Sequence, residues 1–240
     1  MPDAAVILAG GSGSRMRGSV RDKVLEPVCG VPAIMRSFGA FVESGRIGRA
    51  AFVCRDGAQR EAVERLAGEF YPGCGVEILF CAGGARRQDS VLNGLRALGG
   101  GVGLAFIHDG ARPLVGAENV IRLSDAARRD GAAVLAARVT DTIKRLPGGG
   151  GLRARIFEDL DRPSLWAMQT PQVFGFSQIL AAYEKIAADG ADVTDDVAAA
   201  NAFGIGVTIV ENLFPNPKIT LPEDIAKIEF LLSRSAAKIP

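Results

Sequence analysis

The segment Ala4-Ala5-Val6-Ile7-Leu8-Ala9-Gly10-Gly11-Ser12-Gly13-Ser14-Arg15-Met16 decides the fold of this chain. Its apolar run has the length of a buried strand, and Gly10, Gly11 and Gly13 turn it at once into a loop. A strand that leaves an open α/β sheet through a glycine-rich turn lays bare backbone N–H groups where such sheets gather phosphates. Arg15 stands within the turn and Lys23 follows eight residues later, two cations suited to a triphosphate. The reading is a nucleotide site of neither common type. Met16 occupies the place of the third glycine of the dinucleotide fingerprint, and no Gly-Lys-Ser/Thr follows to make a Walker A loop.

Outward from that segment, short β-rich runs recur at Ala50 to Cys54, Val76 to Cys81, Leu104 to His108, Ala132 to Val139 and Val207 to Val210. Between them, helical spacing of apolar residues appears at Ala33 to Ser44, Ala58 to Phe70, Asp89 to Leu98, Ala117 to Arg129, Gln178 to Ala188 and Asp195 to Ala202. Pro222-Glu223-Asp224 opens a last helix that ends near Ser233. Strands alternating with helices require crossover connections. The fold class is therefore α/β, a doubly wound, mostly parallel Rossmann-like sheet, in a single domain over 1–240. The exception is the stretch from about 140 to 174, where Pro147 and Gly148 to Gly151 separate two segments. Ile156, Phe157, Leu160 and Trp166 make it too apolar for a solvated tether. It reads as a β-arm tipped by the glycines, and a projecting hairpin needs a surface to pack on, hence a homodimer.

Composition narrows the partners. Lys+Arg 28 against Asp+Glu 27 leaves a net charge of +1, so no global field draws nucleic acid or an anionic membrane. Hydrophobic residues make up 48% of the 240, yet glycines or charges break every run well short of the ~20 residues a membrane span needs. Cys29, Cys54, Cys74 and Cys81 match neither metal-ligand nor redox spacing, and no secretory signal precedes them. They read as free thiols in a reducing cytoplasm.

Three further segments carry candidate chemistry. His108-Asp109-Gly110-Ala111-Arg112-Pro113 falls at the end of a strand, where Asp109 suits Mg²⁺, an ion that takes one or two carboxylates plus phosphate oxygens. His108 is the only histidine, no nucleophile-elbow sequence accompanies it, and it reads as structural. Gly83-Gly84-Ala85-Arg86-Arg87-Gln88-Asp89-Ser90 follows another strand and opens a helix, with glycines that permit close backbone approach to a base or ribose. Asn216-Pro217-Lys218-Ile219-Thr220 precedes the last helix and brings Lys218 to the same sheet edge as a third cation.

Taken in order, these segments resemble the 2-C-methyl-D-erythritol 4-phosphate cytidylyltransferase family. The matching pieces are Leu8 to Met16, Gly83 to Gly94, His108 to Pro113, Asp141-Thr142-Ile143-Lys144-Arg145, Leu165 to Phe174, Thr194-Asp195-Asp196 and Asn216 to Asp224. The resemblance implies transfer of CMP from CTP to the polyol phosphate, with Arg15, Lys23 and Lys218 as the catalytic cations. It implies that Ala9, Gly10, Gly11, Gly13, Gly84 and Ser90 hold the nucleotide and that Asp109 meets both Mg²⁺ and substrate. Arg112, Thr142, Arg162, Thr170 and Thr194 would surround the sugar phosphate together with Lys218, and Arg162 would act across the dimer. The chain departs from the family at Asp22-Lys23-Val24, where Pro-Lys-Gln is usual, and Asp22 there is placed to pair with Lys23. Two alternatives stay open: a pentitol-phosphate cytidylyltransferase acting on ribitol 5-phosphate, and a nucleotide-binding regulator without turnover.

Overall fold

The computed structural model describes residues 1–10, 22–148, 153 and 155–236. Gly11, Gly13 and Arg15, expected in the nucleotide site, lie outside these residues, as do Gly149 to Gly151 of the glycine tip.

Strand β1, Asp3–Leu8, is buried along its whole length. Because successive side chains of a strand point to opposite faces, Ala5 and Ile7 enter one core and Ala4, Val6 and Leu8 the other. A small hairpin, β2 (Pro27–Val28) and β3 (Val31–Pro32), leads into α1 (Ala33–Ser44). There follow β4 (Ile47–Cys54), α2 (Gly57–Phe70), β5 (Glu77–Ala82), α3 (Arg87–Leu98), β6 (Leu104–Asp109), α4 (Ala117–Asp130) and β7 (Ala132–Arg138). Next come the two-residue strands β8 (Lys144–Arg145) and β9 (Glu158–Asp159), then the long β10 (Trp166–Gly175). The chain ends with α5 (Phe176–Asp189), α6 (Asp196–Ala202), β11 (Thr208–Glu211) and α7 (Glu223–Ala236).

Seven strands form one sheet in the order β11-β7-β10-β6-β1-β4-β5. All neighbouring pairs are parallel except those of β10, which runs antiparallel to both β6 and β7. Helices α1, α2, α4 and α7 pack on one face, and α3, α5 and α6 on the other. This is the α/β layering that the alternating pattern demands. Local chemistry sets the helix starts: Asp56 caps α2 by accepting from Gln59 N at 2.8 Å, and Asp195 caps α6 by accepting from Ala198 N at 2.9 Å. Gly94 lets α3 lie down on the sheet, since a Cβ there would meet Val6 Cγ1 at 2.4 Å. That approach brings the first turn of α3 to the C-terminal ends of β1 and β4.

The stretch 140–174, expected as one projecting arm, divides in the structure. Lys144 pairs with Asp159 and Arg145 with Glu158 as a small separate hairpin, whereas Trp166–Gly175 is an interior strand of the main sheet. Polar Gln169, Thr170 and Gln172 with Pro171 interrupt its apolar pattern, and its register against β7 shifts between Met168 and Gln172. An interrupted strand of this kind leaves no period for a reader of the sequence to find.

Candidate active site

The C-terminal ends of β1, β4 and β5 meet at a cavity of about 360 Å³ lined by Leu8, Gly10, Arg55, Gly83, Gly84, Arg86, Arg87 and Ser90, among others. Its upper wall is the start of α3. Ser90 Oγ accepts from Gly84 N at 3.0 Å and donates to Arg86 O at 3.2 Å. Gly84 is required for this closeness, because a Cβ would sit 2.3 Å from Asp89 Cβ. Across the cavity, Ala9 N and Gly10 N both donate to Val53 O at 3.0 Å. The bare backbone donors expected of the turn are therefore not those of Ala9 and Gly10, although Gly10 lines the cavity.

Lys23 lies half-buried in the turn closed by Leu25 N donating to Asp22 O. The Asp22 carboxylate, expected beside Lys23, accepts from Gln59 Nε2 at 2.6 Å and stands 3.3 Å from Arg55. Gln59 Nε2 also donates to Ala9 O at 3.2 Å. The departure from the usual family sequence thus ties Asp22 to α2 through Gln59, which also holds the residue after β1.

The second half of the site centres on Asp109, the last residue of β6. Lys218 Nζ donates to its Oδ2 at 2.8 Å, Arg112 Nε stands 3.7 Å from the same oxygen, and Arg87 Nε faces Oδ1 at 3.6 Å. Burial opposes ionisation of this carboxyl, but Lys218, Arg87 and Arg112 together hold it well below the usual carboxylate range. Burial pulls the Arg112 guanidinium downward, against Asp109. Arg112 donates to Asn216 O at 2.7 Å, while its buried Nε has no hydrogen-bond partner among the described residues. Asn216 in turn donates to Thr170 O at 3.1 Å and to Gln169 Oε1 at 3.3 Å. These bonds fasten the segment carrying Lys218 to β10.

Thr170, expected at the sugar phosphate, is buried. Its hydroxyl accepts from Asp109 N at 3.0 Å and lies 3.1 Å from His108 Nδ1. In this geometry Thr170 holds the backbone of Asp109. His108 is fully buried and edges onto the Phe41 ring, and burial pushes its pKa down to about 3, so it is a neutral structural group. Thr142, Arg162 and Thr194 are exposed. Arg162 donates to Thr140 O at 3.2 Å, which ties it to the segment between β7 and β8.

The sequence offered no reason to single out Arg87, Asp196 and Tyr183. Arg87 forks onto Asp196 with bonds of 2.9 and 2.8 Å, and Tyr183 donates to the same carboxylate at 2.5 Å. Asp196 is fully buried. Burial, then Asp196, push the Tyr183 phenol far up, so it stays protonated. The doubled Arg86-Arg87 after a glycine turn and the doubled Asp195-Asp196 were the available signals. Only folding shows that each pair divides its labour, with Asp195 capping α6 and Asp196 pairing with Arg87.

A family model for 2-C-methyl-D-erythritol 4-phosphate cytidylyltransferase matches residues 4–234. The chain is 38% identical to the enzyme of that name from Geobacillus kaustophilus, over 98% of both chains. Among solved structures it resembles 4-diphosphocytidyl-2C-methyl-D-erythritol synthase from Anaerococcus prevotii (TM-score 0.83, 27% identity, covering 97% of this chain and 99% of that one). It also resembles 2-C-methyl-D-erythritol 4-phosphate cytidylyltransferase from Thermus thermophilus (TM-score 0.75, 28% identity, covering 97% and 100%). A match along the whole chain, with the Asp109 cluster beside a nucleotide-sized cavity, leads to one assignment. The chain belongs to the 2-C-methyl-D-erythritol 4-phosphate cytidylyltransferase family.

Proposed function

We propose that this protein transfers the cytidylyl group of CTP to 2-C-methyl-D-erythritol 4-phosphate and releases pyrophosphate, a step of non-mevalonate isoprenoid synthesis. The observation that carries the reading is the Asp109 cluster, in which Lys218, Arg87 and Arg112 converge on one carboxylate at the sheet edge that bears the cavity. An oxygen of the acceptor phosphate attacks the α-phosphorus of CTP, and the bond from that phosphorus to the β-phosphate oxygen breaks. The attacking oxygen is already anionic, so no general base is needed, and catalysis consists of positioning and charge stabilisation.

Each residue then has a defined task. Lys218, Arg15 and Lys23 are the cations for the charge that grows on the transferred group and on pyrophosphate. Arg112, whose Nε faces Asp109 and which donates to Asn216 O, stands beside the acceptor phosphate as a fixed positive charge. Ser90, Gly84 and Gly10 shape the nucleotide cavity. Thr142, Arg162 and Thr194 enclose the sugar phosphate, and Thr170 contributes by holding Asp109 in place. Asp109 would meet a divalent ion through a single carboxylate and only in exchange for one of its facing cations, Lys218, Arg112 or Arg87, with phosphate oxygens and water completing an ordinary Mg²⁺ environment. When bound, that ion would neutralise triphosphate charge.

The small hairpin supports a homodimer in which Arg162 serves the partner's site. Ile143, Ile156 and Phe157 around it are exposed apolar side chains of the kind that oligomer contacts bury. No helix among the described residues is long and apolar enough to cross a membrane, and the free cysteines suit a cytoplasmic enzyme. Pyrophosphate release with CTP, Mg²⁺ and methylerythritol phosphate, run beside ATP, GTP, UTP and ribitol 5-phosphate, tests the reading. Turnover confined to CTP and methylerythritol phosphate supports it. Equal or faster turnover with ribitol 5-phosphate replaces it with the pentitol-phosphate alternative, and tight CTP binding without turnover replaces it with the regulator.

A further inference from the structure

Three consecutive residues at the start of α3 all reach the segment 191–196, which carries Thr194 and the first residue of α6. Arg86 NH1 pairs with Asp192 at 2.7 Å, Gln88 donates to Ala191 O at 2.7 Å and accepts from Val193 N at 3.0 Å, and Arg87 forks onto Asp196. The Arg86 pair is exposed on both sides and contributes little. Gln88 and Asp196 are buried, and their bonds set the distance between the nucleotide wall and the acceptor wall.

Arg87 does one thing more. Its two terminal nitrogens are taken by Asp196, which leaves Nε 3.6 Å from Asp109 Oδ1, while Lys218 and Arg112 face Oδ2. The Asp109 carboxylate thereby has a cation facing each of its two oxygens. A planar guanidinium engages Asp196 with a fork and Asp109 with a third nitrogen at once, and a lysine ammonium cannot reproduce that geometry. Stability alone is a weak reason for the arrangement, because a buried ion pair often contributes less than the apolar side chains that could replace it.

We infer that Arg87 is a positioning residue for cytidylyl transfer: braced by Asp196, it fixes the Asp109 carboxylate and holds the nucleotide wall to the acceptor wall. The inference rests on the cytidylyl-transfer reading. Tyr183 and Asp196 act behind Arg87, and none of the three needs to touch the reacting atoms.

The test is steady-state kinetics and thermal melting of wild type, Arg87→Lys, the double variant Arg87→Gln with Asp196→Asn, and Ser124→Ala. The double variant removes both charges of the pair together, so the buried Asp196 position carries no uncompensated ion, and it keeps amide hydrogen bonding. Ser124→Ala disturbs the buried Asp3 network on the opposite helical face and controls for general destabilisation. The inference expects kcat to fall about a hundredfold in Arg87→Lys and in the double variant, the scale set by misplacing a reacting group by about an ångström. It also expects KM for the acceptor to rise while KM for CTP moves less than threefold, and Ser124→Ala to melt earlier with unchanged kinetics. Lowered melting with wild-type kcat in the Arg87 variants would make the residue merely structural and overturn the inference. A rise in KM for CTP alone would make it a direct nucleotide contact, which also overturns it. An inactive wild type would fail the functional reading, not this one.

Discussion

The Asp109 cluster and the β8–β9 hairpin are both built from oppositely charged pairs, and they put charge to different uses. At Asp109 the carboxylate is buried, and three cations from β6's following turn, α3 and the segment before α7 converge on it. In the hairpin, Lys144 pairs with Asp159 and Arg145 with Glu158 on the surface, where water and salt screen them. A buried carboxylate cannot turn to solvent for its partners, so the cations the fold brings to it are held in place and available for chemistry. Exposed pairs pin a register and little else.

The comparison is most exposed to failure at Lys218. Lys218→Ala removes a cation from the transition state, and turnover is expected to fall by about a hundredfold to a thousandfold, with melting also lowered because the buried Asp109 loses its nearest cation, though Arg87 and Arg112 still face it. Steady-state rates beside a melting curve decide it, and near wild-type turnover would equate Lys218 with a surface lysine.

Thr170→Val is the next test. It keeps the shape of the side chain but leaves Asp109 N–H without its acceptor and His108 Nδ1 without its partner, a loss of about 1–3 kcal/mol for buried polar groups. Denaturant unfolding is expected to show that loss, and turnover to fall with it because Asp109 shifts.

Acid titration sharpens the same contrast. Burial lowers the His108 pKa to about 3 in the folded chain, whereas the unfolded chain takes up a proton near the ordinary value of about 6.5. Between those values the unfolded state binds more protons, so stability falls as pH drops through the window, by up to about 1.4 kcal/mol per unit. Unfolding measured from pH 7 to pH 4 is expected to show this slope, and His108→Gln to flatten it. Asp109, held below the ordinary carboxylate range, stays ionised over that interval. The smallest effect belongs to the hairpin: Asp159→Asn is expected to change stability by under about 1 kcal/mol, and a larger loss would mean that the pair is buried in an assembly.

Much of this was legible in the residues because amphipathic helices show their period and the buried parallel strands show as apolar runs. Ala33–Ser44 begins and ends as its spacing requires, and β1 announces itself as an apolar run stopped by glycine. Strand β10 was not legible, since Gln169, Thr170, Pro171 and Gln172 stand where alternation would have shown. Asp109 and Lys218 were readable from their positions after strands. That both reach one sheet edge was readable too, but their direct ion pair was not, because 109 residues separate them. Arg87 and Asp196 are equally far apart, and nothing in a run of charged residues tells which one turns inward.

The most direct test of the central claim follows phosphorus itself. CTP, Mg²⁺ and methylerythritol phosphate are incubated with wild type and with Lys218→Ala, and ³¹P NMR is recorded over time. Wild type is expected to consume the acceptor's monoester signal and to yield a pyrophosphate diester together with free pyrophosphate in equal amounts, and Lys218→Ala to do so far more slowly. Persistence of the monoester with wild type, or release of pyrophosphate without the diester, would contradict the account.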